Sequence, residues 1–259
     1  MSNLSETFKK RKALITYITA GDHSLAETKK LISSFEKAGA DIIELGIPFS
    51  DPLADGPVIQ ASHQRALKKN VALADVFKLV AKVRKKTQIP ICFMLSYNLI
   101  VKYGEEKFYA DCEKIGVDGV VIPDLPPEEG SSPSTSLGTS VKGQAARIAF
   151  VAPTSTDARI KSAAESASGF IYLISVAGIT GKREMISGDL GDLAARVRKY
   201  TKLPIAIGFG ISTPAQASQM ARIADGVIVG SAIVDLIGKK KTAAALKLIA
   251  SMRRVIDAR

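Results

Sequence analysis

Short apolar runs alternate with amphipathic stretches along most of the chain. The runs at 13–19, 41–45, 90–94, 119–122, 148–151, 170–174, 204–207 and 226–229 are almost unbroken in apolar character, the pattern of strands buried on both faces. Helical periodicity fills the intervals between them. One helix runs to Ala38, with Ser24 as its N-cap and Gly39 as its stop. Others are predicted over 58–69, 73–86, 105–115, 156–166, 189–200 and 214–223. A short leading helix at 4–11 and closing helices at 231–237 and 242–257 complete the pattern. Two stretches interrupt it: a Gly-containing loop at 175–188, and 129–144, where Ser, Thr, Gly and Pro replace helix formers.

Strands alternating with helices predict an α/β fold with a parallel sheet. Eight such units in 259 residues match a single closed (β/α)8 (TIM) barrel domain spanning 1–259, with extra N- and C-terminal helical pieces. An open doubly wound sheet would use fewer strands and place a Gly-rich turn after the first, where Gly21 stands alone.

Composition narrows the function classes. The net charge of +11 favours anionic partners, yet the lysines fall in small groups such as Lys29-Lys30 and Lys239-Lys240-Lys241 across many helices. Aromatics make up 6% and Trp is absent, so no basic stripe with interleaved aromatics forms and no nucleic-acid partner is expected. No run approaches the ~18 apolar residues of a membrane span. The basic start before Ala13 lacks the apolar core and cleavage pattern of a signal peptide, so the expected location is cytoplasmic. Cys92 and Cys112 are expected as buried free thiols. His23 and His63 are too few and too far apart to suggest a metal site.

The chemistry concentrates in Glu44-Leu-Gly-Ile-Pro-Phe-Ser-Asp-Pro-Leu-Ala-Asp-Gly-Pro57. Gly, Pro, Ser and Asp there force an ordered loop between the second strand and the next helix. Glu44 stands inside an apolar strand, where an unpaired acid costs free energy and therefore needs a purpose. Asp41, Asp51 and Asp55 are expected to crowd the same region, with Asp51 before Pro52 best read as a turn holder. In a barrel the active site lies at the carboxyl ends of the strands. Glu44, Asp55, Asp124, the 175–188 loop, Gly208–Gly210 and Gly230-Ser231 would share that rim. The Gly-bearing turns after strands seven and eight, the second opening a helix, predict a phosphate cradle.

These residues carry a family resemblance. The Glu44–Pro57 stretch, Thr19-Ala-Gly-Asp22, Pro123-Asp-Leu-Pro-Pro-Glu-Glu128, Val151-Ala-Pro-Thr154, Tyr172-Leu-Ile-Ser-Val-Ala-Gly-Ile-Thr-Gly181, Gly208-Phe-Gly-Ile-Ser212 and Gly230-Ser-Ala-Ile-Val234 are similar, in order, to the tryptophan synthase α-subunit family. The resemblance implies a lyase that splits indole-3-glycerol phosphate into indole and glyceraldehyde 3-phosphate. It implies no cofactor in this chain. Indole would pass to a pyridoxal-phosphate β subunit in an αββα complex.

By the same resemblance, Glu44 would protonate indole C3, Asp55 would accept from the indole N–H, and Tyr172 would hydrogen-bond near the reacting groups. Thr180, Gly181, Gly208, Phe209, Gly210, Gly230 and Ser231 would contact phosphate and substrate. Tyr17, Met94, Val121 and Ile228 would line the indole pocket, though core packing explains those four equally well. Asp51, Pro52, Asn98 and Pro126 match positions that meet the β subunit. The chain departs from the family at Ser96-Tyr97-Asn98, where an aromatic pair is common, and in the thin 129–144 segment. A regulatory α subunit with weak cleavage, and another phosphate-binding barrel enzyme, are the competing expectations.

Overall fold

The computed structural model describes residues 3–51, 55–126, 145–174, 183–208 and 210–258. Eight parallel strands close into one barrel in sequence order. They are β1 (Ala13–Thr19), β2 (Ile42–Gly46), β3 (Ile91–Met94), β4 (Gly119–Val121), β5 (Ala146–Val151), β6 (Ile171–Ile174), β7 (Ile205–Gly208) and β8 (Gly226–Val229). The helices are α1 (Asn3–Lys10), α2 (Leu25–Ala38), α3 (Pro57–Leu67), α4 (Leu73–Arg84), α5 (Tyr97–Tyr103), α6 (Glu105–Ile115), α7 (Asp157–Ser166), α8 (Arg183–Arg198), α9 (Pro214–Ile223), α10 (Ser231–Gly238) and α11 (Thr242–Asp257).

Alternation along each strand divides the core in two. Ala13, Ile15 and Tyr17 of β1 join an inner cluster with Ile42, Cys92, Val121, Tyr172 and Ile228. Their neighbours Leu14 and Ile18 face outward, into the larger cluster shared with the helices. Both cysteines are buried and free. The register places Tyr17 beside Glu44, and Glu44 beside Cys92, so Glu44 belongs to the inward-facing layer. Helix α1 sits at the amino-terminal end of the barrel, where Phe8 packs on Phe170 at 5.5 Å between ring centroids.

Local signals explain the best-defined helices. The Ser24 hydroxyl accepts from Glu27 N, and Gly39 closes α2 in the left-handed conformation. Thr213 and Gln216 form a reciprocal capping box on α9.

Three expectations are corrected. Tyr97 and Asn98 open α5, a helix absent from the predicted set, with Ser96 just before it. Asp124, arriving from the loop after β4, accepts from Tyr97 N at 2.9 Å and from the Ser96 hydroxyl at 2.5 Å, and so stabilises the start of α5 from outside it. Helix α8 begins at Arg183, not near 189, running through Gly188 and Gly191. Asp41 does not join the carboxylates of the rim. It stands at the opening end of β2, where it accepts from Leu14 N at 2.8 Å and pairs with Arg253 at 2.7 Å and Arg11 at 2.6 Å. The strand runs away from Asp41 toward Glu44, so the two acids face opposite ends of the barrel. The 129–144 stretch lies outside the described residues.

Candidate active site

The carboxyl ends of the strands surround a cavity of about 360 Å³. Tyr17, Glu44, Met94, Tyr172 and Ile228 supply its walls from five strands, while Asp55, Gly210 and Gly230 come from the loops above and Ser231 from the start of α10. A neighbouring cavity of about 340 Å³ shares Tyr17, Asp55 and Met94 and extends past His63 to Asp51, Asn98 and Asp124. Together they make a mouth with a polar rim and an apolar floor, the form expected of a small-molecule site.

Glu44 is the anomaly in this floor. It is 2% exposed, and its Oε1 has no hydrogen-bond partner among the described residues. Burial raises its pKa from 4.5 to about 8, and the nearby Asp55 charge adds to the shift. The carboxyl therefore holds its proton at neutral pH. Burial likewise lifts the phenols of Tyr17 and Tyr172 above the ordinary tyrosine range, with Asp55 and Glu44 contributing to both.

Asp55 stands two residues before α3, and its carbonyl accepts from Gln60 Nε2 at 2.8 Å. Its carboxylate lies 3.3 Å from His63 Nε2, on the next turns of the same helix. His63 also meets the Tyr17 hydroxyl at 3.3 Å and accepts from Phe49 N at 3.1 Å through Nδ1. His63, considered from the sequence only as a metal ligand, stands instead beside Asp55 and Tyr17. The signal was available. Ile59, Ser62, His63 and Ala66 form the buried stripe of α3 at helical spacing, and two of them are polar.

The glycines of the rim have different roles. Gly210 has φ +75°, which a side chain would strain. Gly230 precedes α10 and Ser231 opens it, so free backbone N–H groups and the positive helix end point toward the mouth. Gly208 instead makes room for Tyr172, because a Cβ there would lie 2.6 Å from the ring's Cε1. Val121 is buried in the inner cluster beneath the cavities and does not line either one. Thr180, Gly181, Phe209 and Pro52 lie outside the described residues. On the outer lip Asp51 and Asn98 are exposed and Pro126 is half-buried. The Ser50 hydroxyl donates to Asp51 at 2.5 Å, consistent with the turn-holding role.

Among the described residues no group of His, Cys, Asp and Glu is placed to hold a metal ion. No helix of those residues is long and apolar enough to cross a membrane.

Comparison with known proteins agrees with this geometry. A family model described as tryptophan synthase alpha chain matches residues 3–257. The tryptophan synthase alpha chain of Thermoanaerobacter sp. is 50% identical over 229 residues, covering 88% of this chain and 86% of the relative. That of Lactiplantibacillus plantarum is 44% identical over 261 aligned positions, covering 100% and 98%. Among solved structures, tryptophan synthase subunit alpha from Legionella pneumophila superposes with a TM-score of 0.89 at 36% identity, over the full length of both chains. A Mycobacterium tuberculosis tryptophan synthase chain gives 0.88 at 32% identity, covering 98% of each. Sequence, barrel and rim thus agree, and the chain belongs to the tryptophan synthase α-chain family.

Proposed function

We propose that this chain performs the family's lyase reaction in tryptophan biosynthesis, cleaving indole-3-glycerol phosphate to indole and glyceraldehyde 3-phosphate, with Glu44 and Asp55 as the reacting pair. The observation that carries this assignment is Glu44 itself: an acid buried at a strand end, with an oxygen unpartnered among the described residues and a proton retained to about pH 8, in one cavity with Asp55 and the Gly210 and Gly230-Ser231 turns.

The proton inventory closes on these two groups. Glu44 gives its proton to indole C3 while Asp55 takes up the indole N–H, leaving an indolenine. Glu44, now a carboxylate, accepts the proton of the side-chain hydroxyl. The bond from C3 to that carbon breaks, its electrons restore the indole double bond, and the carbon leaves as an aldehyde. Asp55 returns its proton to nitrogen, and Glu44 ends protonated as it began. A carboxyl with its pKa near neutrality suits a group that must donate and then accept. Tyr172 packs beside this centre. Tyr17, Met94 and Ile228 flank the flat ring, with Val121 beneath it. The phosphate sits at Gly210, Gly230 and Ser231, with Gly208 at the strand end below and Thr180, Gly181 and Phe209 assigned to the same end of the substrate.

The chain works as one domain over 1–259, in the cytoplasm, with a β subunit seated on the lip at Asp51, Pro52, Asn98 and Pro126. That lip encircles the exit for indole, so a partner there receives it without release to solvent. The αββα assembly and the β subunit's pyridoxal phosphate complete the proposal; this chain itself uses no cofactor. Indole release from indole-3-glycerol phosphate, with and without a β subunit, tests the assignment: no indole in either case refutes it.

A further inference from the structure

His63, Thr19 and Ser62 have no part in the steps above, and they are strung together through the hydroxyl of Tyr17. Two fixed ends set the direction of every hydrogen bond in this string. At one end the Phe49 backbone N–H lies 3.1 Å from His63 Nδ1. An amide N–H can only donate, so Nδ1 carries no proton and the single ring proton resides on Nε2. At the other end the Ser62 hydroxyl donates to the Ile59 carbonyl at 2.6 Å, since a carbonyl can only accept. Ser62 Oγ must then accept from Thr19 Oγ1, 2.5 Å away, and Thr19 from the Tyr17 hydroxyl at 3.3 Å. Tyr17 thus commits its proton away from the carboxylates and turns a lone pair toward His63 Nε2, 3.3 Å distant. That same nitrogen lies 3.3 Å from Asp55 Oδ2. Tyr17, Thr19, Ser62 and His63 are all buried, so solvent does not scramble the order.

We propose that His63, as a neutral Nε2–H donor, is a positioning residue for Asp55: it holds one carboxylate oxygen and leaves the other to accept the indole N–H. The proposal rests on the role assigned to Asp55 above. The backbone of Asp55 is tied by Gln60, and its carboxylate lies within ion-pair distance of His63, so both groups nearest Asp55 stand on α3. The hydrogen bond that Nε2 makes is to the Tyr17 hydroxyl, and Asp55 Oδ2 stands at the same 3.3 Å outside hydrogen-bond geometry; catalytic hydrogen bonds commonly align only when substrate engages.

The test uses the full chain with a β subunit and compares His63→Leu with His63→Gln. Glutamine carries an amide N–H at nearly the reach of Nε2, whereas leucine fills the space without a donor. His63→Leu is expected to lower kcat for indole release about 10- to 100-fold, the scale of a misplaced reacting group. KM should stay within about threefold, because ground-state binding is untouched. His63→Gln should recover about tenfold of the loss, and in an Asp55→Asn chain His63→Leu should cost less than about threefold more. Wild-type kcat in His63→Leu, equal losses in the Leu and Gln variants, or a fully multiplicative loss with Asp55→Asn would each overturn the proposal. If His63→Leu does not fold, a folded His63→Gln decides alone, and a kcat loss beyond about tenfold with KM unchanged contradicts the proposal. A wild-type chain that releases no indole overturns the underlying assignment instead.

Discussion

The ring of Tyr172 on β6 occupies the space that a side chain at Gly208 on β7 would need. A Cβ at Gly208 would fall 2.6 Å from Tyr172 Cε1 and closer still to the hydroxyl. The same arrangement recurs across the barrel, where a Cβ at Gly46 would lie 2.5 Å from Cζ of Tyr17. In both cases a glycine at the end of one strand lets the tyrosine of the preceding strand lean across the floor of the cavity. Gly208→Ala should therefore displace Tyr172 into the cavity, costing about 1–3 kcal/mol in stability by overpacking and about tenfold or more in kcat/KM for indole release. Chemical denaturation and steady-state kinetics on the same variant check both, and an unchanged kcat/KM would remove Tyr172 from the working site.

Glu44 should leave a signature in folding as well as in catalysis. Its pKa is about 8 in the folded chain against an ordinary 4.5, so the native state holds the extra proton between those values. The stability this group contributes is fully present below about pH 4.5 and is lost as pH rises through about 8. The slope approaches about 1.4 kcal/mol per pH unit within that window. Glu44→Gln should flatten it, so that the variant gains on the wild type steadily from pH 5 to pH 8. Urea midpoints measured across that range would expose an error if the two chains kept a constant difference.

The two cradle glycines should respond differently. Gly210 has φ +75°, so Gly210→Val strains the backbone and crowds the anion, and glycerol phosphate affinity should fall at least about tenfold. A Cβ at Gly230 would meet Tyr17 Cβ at 3.5 Å, ordinary contact, with no positive φ. Gly230→Ala should therefore fold with wild-type stability, and any loss of glycerol phosphate binding reports the anion's approach to that backbone. Calorimetric titration with glycerol phosphate distinguishes the cases; equal, undiminished binding in both variants would move the phosphate elsewhere.

The lip offers a partner test. Val101, 57% exposed on α5, lies three residues from Asn98 and so on the same side of that helix. An apolar side chain beside the proposed β-subunit contacts should be covered in the complex. Val101→Lys should weaken association with a β subunit by about 1–2 kcal/mol while leaving indole release by the isolated chain unaltered. Undiminished binding of the variant would place the partner off α5.

Much of the barrel is legible in the sequence because each strand is a separate apolar run and each helix carries its own periodicity. The ends of α2 and α9 are equally legible, since Ser24, Gly39 and Thr213 act on their own neighbours. Helix α5 is not, because the carboxylate that steadies its start is Asp124, more than twenty residues downstream and brought in only by the closed barrel. Asp41 misleads for the related reason that nearness in sequence to Glu44 is distance along a strand. At the site, Glu44 is visible as an acid inside an apolar strand, where acids are costly, whereas the role of Asp55, a loop acid, is implied only by the family resemblance. The contact of His63 with Asp55 depends on the pitch of α3 and on the loop that carries Phe49 over it.

Glu44 as the acid that protonates indole C3 predicts a particular dependence of rate on pH. Indole release from indole-3-glycerol phosphate is followed from pH 6 to pH 10 for the wild type and for Glu44→Gln, each with a β subunit present. The wild-type rate should hold to about pH 8 and then fall about tenfold per unit as the carboxyl loses its proton. The Glu44→Gln rate should lie about 10²- to 10⁴-fold lower, with that limb gone. Near-normal indole release by folded Glu44→Gln, with the alkaline limb intact, would contradict the account.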